Sequence, residues 1–224
     1  MLPTTSCKNN NWLSLTLEAL EYQGVAVVTD VLSEGMRERI RPAMYKARDE
    51  LQREIGVERL QRAREVGVLR VMLDVDPVFP ELLELPEILQ VVDHTLTDTA
   101  ILHLQNGFIL PPVEAMGYTV EEAREIFQFS FHRDFRRYLE GYLGCVNTLL
   151  NIDEFRESNG ATVFVPGTHQ LRKEPSRAYL EANAIPAEAP AGSMFVYDAS
   201  VWHGSGLNTS GEDRLAVNHV FTRS

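Results

Sequence analysis

The chain has 224 residues, 44% of them hydrophobic and 24% charged, with a formal net charge of −11. That is enough apolar material for one sizeable core, so a single domain is expected over residues 1–224. An acidic chain without a basic cluster excludes general binding to nucleic-acid backbones, although one local arginine can still hold an anionic small molecule.

Residues 1–11 are polar and predict a flexible tail. Trp12, Leu13, Leu15, Leu17, Ala19 and Leu20 then recur at helical spacing, and Gly24 stops the run. Residues 25–28 are four small apolar residues, a short buried strand. Ser33 is a good N-cap, with Glu34 in the first turn, for a helix from 34 to about 55 that ends at Gly56. Its charges lie on a solvated face. Residues 57–99 carry Pro77, Pro80 and Pro86, which cut the chain into short pieces; residues 69–73 are a candidate strand. Residues 101–110 predict a strand ended by Pro111-Pro112, and a helix follows from Thr119, placed to cap a site. From residue 129 onward short strands dominate: 129–135, 145–152, 161–165, 193–197, 201–205 and 214–221. Turn signals at Ser158-Asn159-Gly160 and Asn208-Thr209-Ser210-Gly211 separate several of them. The fold expected is mainly β with flanking helices, with 12–100 as support and 101–224 as the core.

Cys7 and Cys145 lie too far apart in context to suggest a disulfide framework. Neither a bilayer-spanning apolar stretch nor a secretory signal is evident, so no membrane partner and a cytoplasmic location are expected.

The chemistry starts at His132-Arg133-Asp134. On a strand, residues two apart point the same way, so His132 and Asp134 make two members of a 2-His-1-carboxylate set for iron(II). A surface ion pair is the alternative for this pair alone. The third ligand is a histidine on another strand: His169, His203 and His219 are candidates, with His94 and His103 upstream. His203 stands among small residues, followed by Gly204, Ser205 and Gly206. A hairpin brings Arg214 back toward it, and an inward arginine there needs an anion, for which its planar fork suits a carboxylate. Ser205 shares the face of His203.

His132-x-Asp134, Asn159-Gly160-Ala161, Val165-Pro166-Gly167-Thr168-His169, Trp202-His203-Gly204-Ser205-Gly206-x-Asn208-x-Ser210 and Arg214 together resemble the phytanoyl-CoA dioxygenase superfamily, iron(II)- and 2-oxoglutarate-dependent oxygenases on a double-stranded β-helix. The resemblance covers most of the chain, closely from 130 to 216. It implies a jelly-roll, cupin-like barrel, with His132, Asp134 and His203 as iron ligands. Arg214, assisted by Ser205, would hold the far carboxylate of 2-oxoglutarate. The inner face of residues 101–110 also holds 2-oxoglutarate in the family. Gln105 and Asn106 point to opposite faces, as do Asn147 and Thr148; Gln105 and Thr148 are favoured.

The implied reaction uses O2 and 2-oxoglutarate to oxidise a C–H bond, most commonly by hydroxylation, releasing succinate and CO2. Asp134 fills the position that related halogenases leave to chloride. The short chain favours a small-molecule substrate, in secondary metabolism, and Arg136, on the face of both ligands if the strand continues, is expected to meet an acidic group on it. Arg136 paired with Glu121 or Glu125 is the structural alternative. Two other functions share these features: a redox-inactive metal isomerase or lyase, which needs no Arg214, and a non-catalytic binding protein, which needs no complete ligand set.

Overall fold

A computed structural model describes residues 1–117, 119–126, 129–135 and 140–224. Two sheets form the centre. Strands β1 (Thr4–Ser6), β2 (Val25–Thr29), β3 (Val68–Leu69), β4 (Ile101–Leu110), β5 (Cys145–Asn151), β8 (Met194–Asp198) and β10 (Arg214–Thr222) make a seven-stranded sheet in the order β1-β2-β8-β5-β10-β4-β3. Strands β6 (Thr162–Val165), β7 (Ile185–Pro186) and β9 (Trp202–Ser205) make a three-stranded sheet in the order β7-β6-β9. Apart from the parallel β1–β2 pair, every pairing is antiparallel.

Helices α1 (Trp12–Gln23), α2 (Glu34–Ile55), α4 (Val78–Leu83) and α5 (Pro86–Thr95) supply much of the core that covers one face of the large sheet. Helix α3 (Val57–Ala63) follows α2 directly. The caps act as expected: the Ser33 hydroxyl accepts from the Met36 N–H, and Gly24 ends α1 in the left-handed conformation. The period of two sorts the strands. Val146, Leu150, Met194, Val196, Leu215 and Val217 pack toward the helices. Leu149, Phe195, Tyr197 and Ala216 turn the other way, into a second core shared with Phe164 and Val201 around the small sheet.

Several expectations are corrected. The fold is mixed sheet and helix rather than mainly β. The proline-cut region is divided into short pieces as expected, among them the helices α4 and α5, and Pro86 stands in the first turn of α5, where a proline is tolerated. Residues 1–11 are not a loose tail: β1 pairs with β2, and Leu2 is buried. The candidate strand at 69–73 stops at Leu69, because Val71 is left-handed at φ 57° and Met72–Asp74 forms a 3-10 turn. A further short helix, α7 (Arg177–Asn183), lies between β6 and β7 and is capped by the Ser176 hydroxyl. Residues 129–135 do not form a strand. The Phe129 and Ser130 N–H groups turn back onto the Ile126 carbonyl, so ladder pairing begins only at an isolated bridge between His132 and His203.

Candidate metal centre

The bridge places the two histidines side by side. The His132 N–H donates to the His203 carbonyl at 2.8 Å, and the His203 N–H donates back at 2.9 Å. Gly204, next along β9, is needed here, because an added Cβ would stand 2.9 Å from the Ser130 carbonyl oxygen. His203 is buried against Phe164 and Tyr197, with ring centroids at 5.8 and 5.0 Å. One ligand atom each from His132, Asp134 and His203 lies within 4.8 Å of the others. Asp134 Oδ1 is 3.8 Å from His132 Nε2, and Oδ2 is 3.6 Å from His203 Nε2.

The ring orientations suit a metal. His132 Nδ1 is 2.8 Å from the Ser130 carbonyl oxygen, and His203 Nδ1 is 3.0 Å from that of Val201. A carbonyl only accepts, so each Nδ1 carries the proton and each Nε2 presents a lone pair toward Asp134. Two such nitrogens and one carboxylate fit a divalent first-row metal and leave other coordination positions open. Asn147 Nδ2 donates to Asp134 Oδ2 at 2.7 Å.

The triad opens into a cavity of about 680 Å³ between the sheets. Its floor is the inner face of the large sheet, where Asn106 of β4 stands opposite Asn218 of β10. Its walls include Leu104, Phe108, Ile126 and Phe135. Helix α6 (Val120–Arg124), opened by a Thr119–Glu122 capping box, is the helix expected from Thr119, and the residues just after it, Glu125 and Ile126, line the cavity. Burial, together with the negative charges of Asp134 and Asp198, pushes the Cys145 thiol up to about 12.

Arg214 lines the same cavity and is buried. Its Nη2 donates to the Gly160 carbonyl at 3.0 Å and to the Ser205 hydroxyl at 3.4 Å, while its guanidinium lies 4.1 Å from the Phe155 ring centre. Its Nε has no hydrogen-bond partner, and no carboxylate among the described residues forms an ion pair with it. Burial lowers its pKa to about 9. A buried guanidinium held this way is able to receive an anion. Gly160 sits at φ 78°, where a Cβ would meet Leu110 and the Gly206 carbonyl, so only glycine brings its own carbonyl to Arg214.

His132, Asp134, His203, Ser205 and Arg214 are therefore brought to one cavity. Gln105 and Thr148 are not. Gln105 Nε2 donates to the Phe79 carbonyl and lies 3.0 Å from His219 Nε2; Thr148 Oγ1 is 3.2 Å from His219 Nδ1. The three form a buried network on the helix side of the sheet, and burial lowers the His219 pKa to about 3. The neighbours Asn106 and Asn147 occupy the cavity side instead, because β10 turns Arg214 inward and its register carries Asn218 opposite Asn106 and Val220 opposite Asn147. Arg136 lies outside the described residues. His169 is not a ligand: its Nε2 faces the Glu21 carbonyl at 3.1 Å. No helix among the described residues is long and apolar enough to cross a membrane.

The chain is similar to several known proteins. An uncharacterized protein of Mycobacterium tuberculosis is 48% identical over 224 residues, covering all of this chain and 80% of that protein. A dioxygenase of Talaromyces verruculosus is 40% identical over 127 residues, 53% of this chain and 36% of its own length. A solved structure of a non-heme monooxygenase in a nickel complex shares the fold, with a TM-score of 0.67 at 18% identity over 92% of this chain and 76% of that one. The family described as phytanoyl-CoA dioxygenase matches residues 20–216, a span that contains the clustered His132, Asp134 and His203 and also Arg214, and the chain belongs to that family.

Proposed function

We propose that the protein is an iron(II)- and 2-oxoglutarate-dependent oxygenase that oxidises a C–H bond of a small molecule, on a fold whose two facing sheets are those of a double-stranded β-helix. The observation that carries this is the pairing, in one cavity, of an open His132–Asp134–His203 face with a buried guanidinium, Arg214, that forms no ion pair with a carboxylate among the described residues. A metal isomerase or lyase needs the first feature and not the second.

Iron(II) held by His132, Asp134 and His203 supplies the ability to activate O2 at the expense of 2-oxoglutarate, which leaves as succinate and CO2. The protein's own groups do the positioning. The two Nε2 lone pairs and the Asp134 carboxylate hold the metal. Arg214, with Ser205 beside it, fixes the far carboxylate of 2-oxoglutarate; this charge-assisted contact takes place where water is excluded. Leu104, Phe108, Ile126 and Phe135 give the remaining space an apolar wall, and Asn106, Asn218, Arg70 and His103 offer it polar contacts. At about 680 Å³ the cavity has room for a second small molecule beside 2-oxoglutarate. Arg136 is assigned to an acidic group on that substrate, and hydroxylation in the cytoplasm is the expected setting.

The test is a turnover screen against small metabolites, with succinate measured by NMR. Succinate formation that requires both iron(II) and 2-oxoglutarate supports the proposal. Metal binding without 2-oxoglutarate consumption across the screen overturns it in favour of redox-inactive chemistry. If Arg136 holds substrate, Arg136→Ala raises the substrate KM and the fraction of succinate formed without product, leaving 2-oxoglutarate affinity unchanged.

A further inference from the structure

Asp134 sits on an irregular segment outside the strands, next to Arg133, which is buried over the Trp202 ring. The backbone is tied down at His132 through the bridge to His203, and at Phe135, whose N–H donates to the Ala199 carbonyl at 2.9 Å. Between these ties the Asp134 side chain is 31% exposed. It reaches across to Asn147, which is fully buried in the middle of the large sheet, with β8 on one side and β10 on the other.

An amide in that position is costly unless it is paired. The inner-face neighbours of Asn147 along β5 are Cys145 and Leu149, and an apolar residue would bury more cheaply between them. Its side-chain nitrogen donates to Asp134 Oδ2 at 2.7 Å, the short length of a bond to a charged acceptor, and the Tyr197 side chain is a further hydrogen-bonding neighbour. The orientation of the amide follows from chemistry, since only the nitrogen can donate to a carboxylate. The sheet is the rigid partner and the ligand-bearing segment the supported one.

We propose that Asn147 is a positioning residue of the metal centre: its amide N–H clamps Asp134 Oδ2, sets the rotation of the carboxylate, and keeps it aimed at the metal. The inference deepens the proposed function and rests on it only in requiring that the triad bind a divalent metal. Outer partners of this kind typically change metal affinity by about 10–100-fold when removed.

The experiment titrates metal-free protein with manganese(II), followed by electron paramagnetic resonance, and with cobalt(II), followed by visible absorption. Wild type is compared with Asn147→Leu, which keeps the volume and loses the donor. The expected result is manganese affinity weakened about 10–100-fold, an altered cobalt spectrum and unchanged circular dichroism. A purely structural role would leave the cobalt spectrum of the folded, loaded variant unaltered. If the leucine variant does not fold, Asn147→Ala is read in the same titration. Asn147→Thr, which keeps a donor, recovers part of the affinity. Wild-type affinity and spectrum in the folded variant overturn the role of Asn147 alone. A wild-type protein that binds neither metal overturns the metal centre itself, and Asn147's role with it.

Discussion

His132 and His203 are joined to each other before any metal joins them: two backbone hydrogen bonds pair them, and their rings lie 4.4 Å apart. His132, on an irregular segment, is thereby tied to the regular strand β9. Removing one ring leaves the backbone bridge in place, so the site can be disarmed without dismantling the fold. His203→Ala is expected to abolish metal binding and turnover while losing about 1–3 kcal/mol of stability, within the usual range for point substitutions. Metal titration and chemical denaturation check both halves; full activity in the variant removes His203 from the ligand set.

Arg214 carries a trade between binding and stability. Its charge is buried without an anion in the ligand-free protein, so Arg214→Met is expected to leave the apoprotein as stable or to stabilise it by about 1–4 kcal/mol. The same change should weaken 2-oxoglutarate binding at least about tenfold, roughly 1.4 kcal/mol. The sign with pH follows from the lowered pKa. The penalty for charge is present below about pH 9 and fades as pH rises toward the ordinary value of 12.5. The stability gap between variant and wild type should narrow above pH 9. Thermal unfolding with and without 2-oxoglutarate measures all three; a destabilised variant that still binds 2-oxoglutarate normally would place the anion elsewhere.

His219 provides a separate acid response. Burial holds it neutral, with a pKa of about 3 against an ordinary 6.5. Its contribution is complete above pH 6.5 and is lost as pH falls toward 3, because the unfolded chain takes the proton first. The slope is about 1.4 kcal/mol per pH unit within that window. His219→Gln keeps hydrogen-bonding groups for Gln105 and Thr148 without the titration. Denaturation curves at pH 7 and 4.5 should show a smaller acid loss for the variant; equal losses would assign the acid sensitivity to other groups.

Val71 is a β-branched residue at φ 57°, 73% exposed, beside the cavity-lining residue Arg70. The left-handed conformation costs a non-glycine residue about 1–2 kcal/mol, and glycine gives back part of that in the unfolded chain. Val71→Gly is expected to stabilise the protein by about 0.5–1 kcal/mol, raising Tm by roughly 1–4 °C for a chain of this size. A lower Tm would show that the valine side chain contributes more than its exposure implies.

Much of this was legible in the chain. Helix α2 begins at the Ser33 cap and ends at Gly56, as the residues demand, because caps act through local hydrogen bonds and backbone sterics. The triad, Ser205 and Arg214 were also legible, because their spacing across several strands resembles one family. What local pattern could not supply was the face on which a polar residue falls when both faces of its strand are buried. Every residue of β5 is buried, so alternation carries no signal at Asn147 and Thr148, and adjacent polar residues at Gln105 and Asn106 erase it in β4. Long-range register decided both: with Arg214 turned inward, odd spacing sends His219 to the helix side, and the ladder carries Gln105 and Thr148 with it. The same holds for β1, whose polar Thr-Thr-Ser acquires its place only by parallel pairing with a strand beyond the first helix. A side chain's face in a doubly covered sheet is a property of its neighbours across the hydrogen bonds, and those neighbours are distant in sequence.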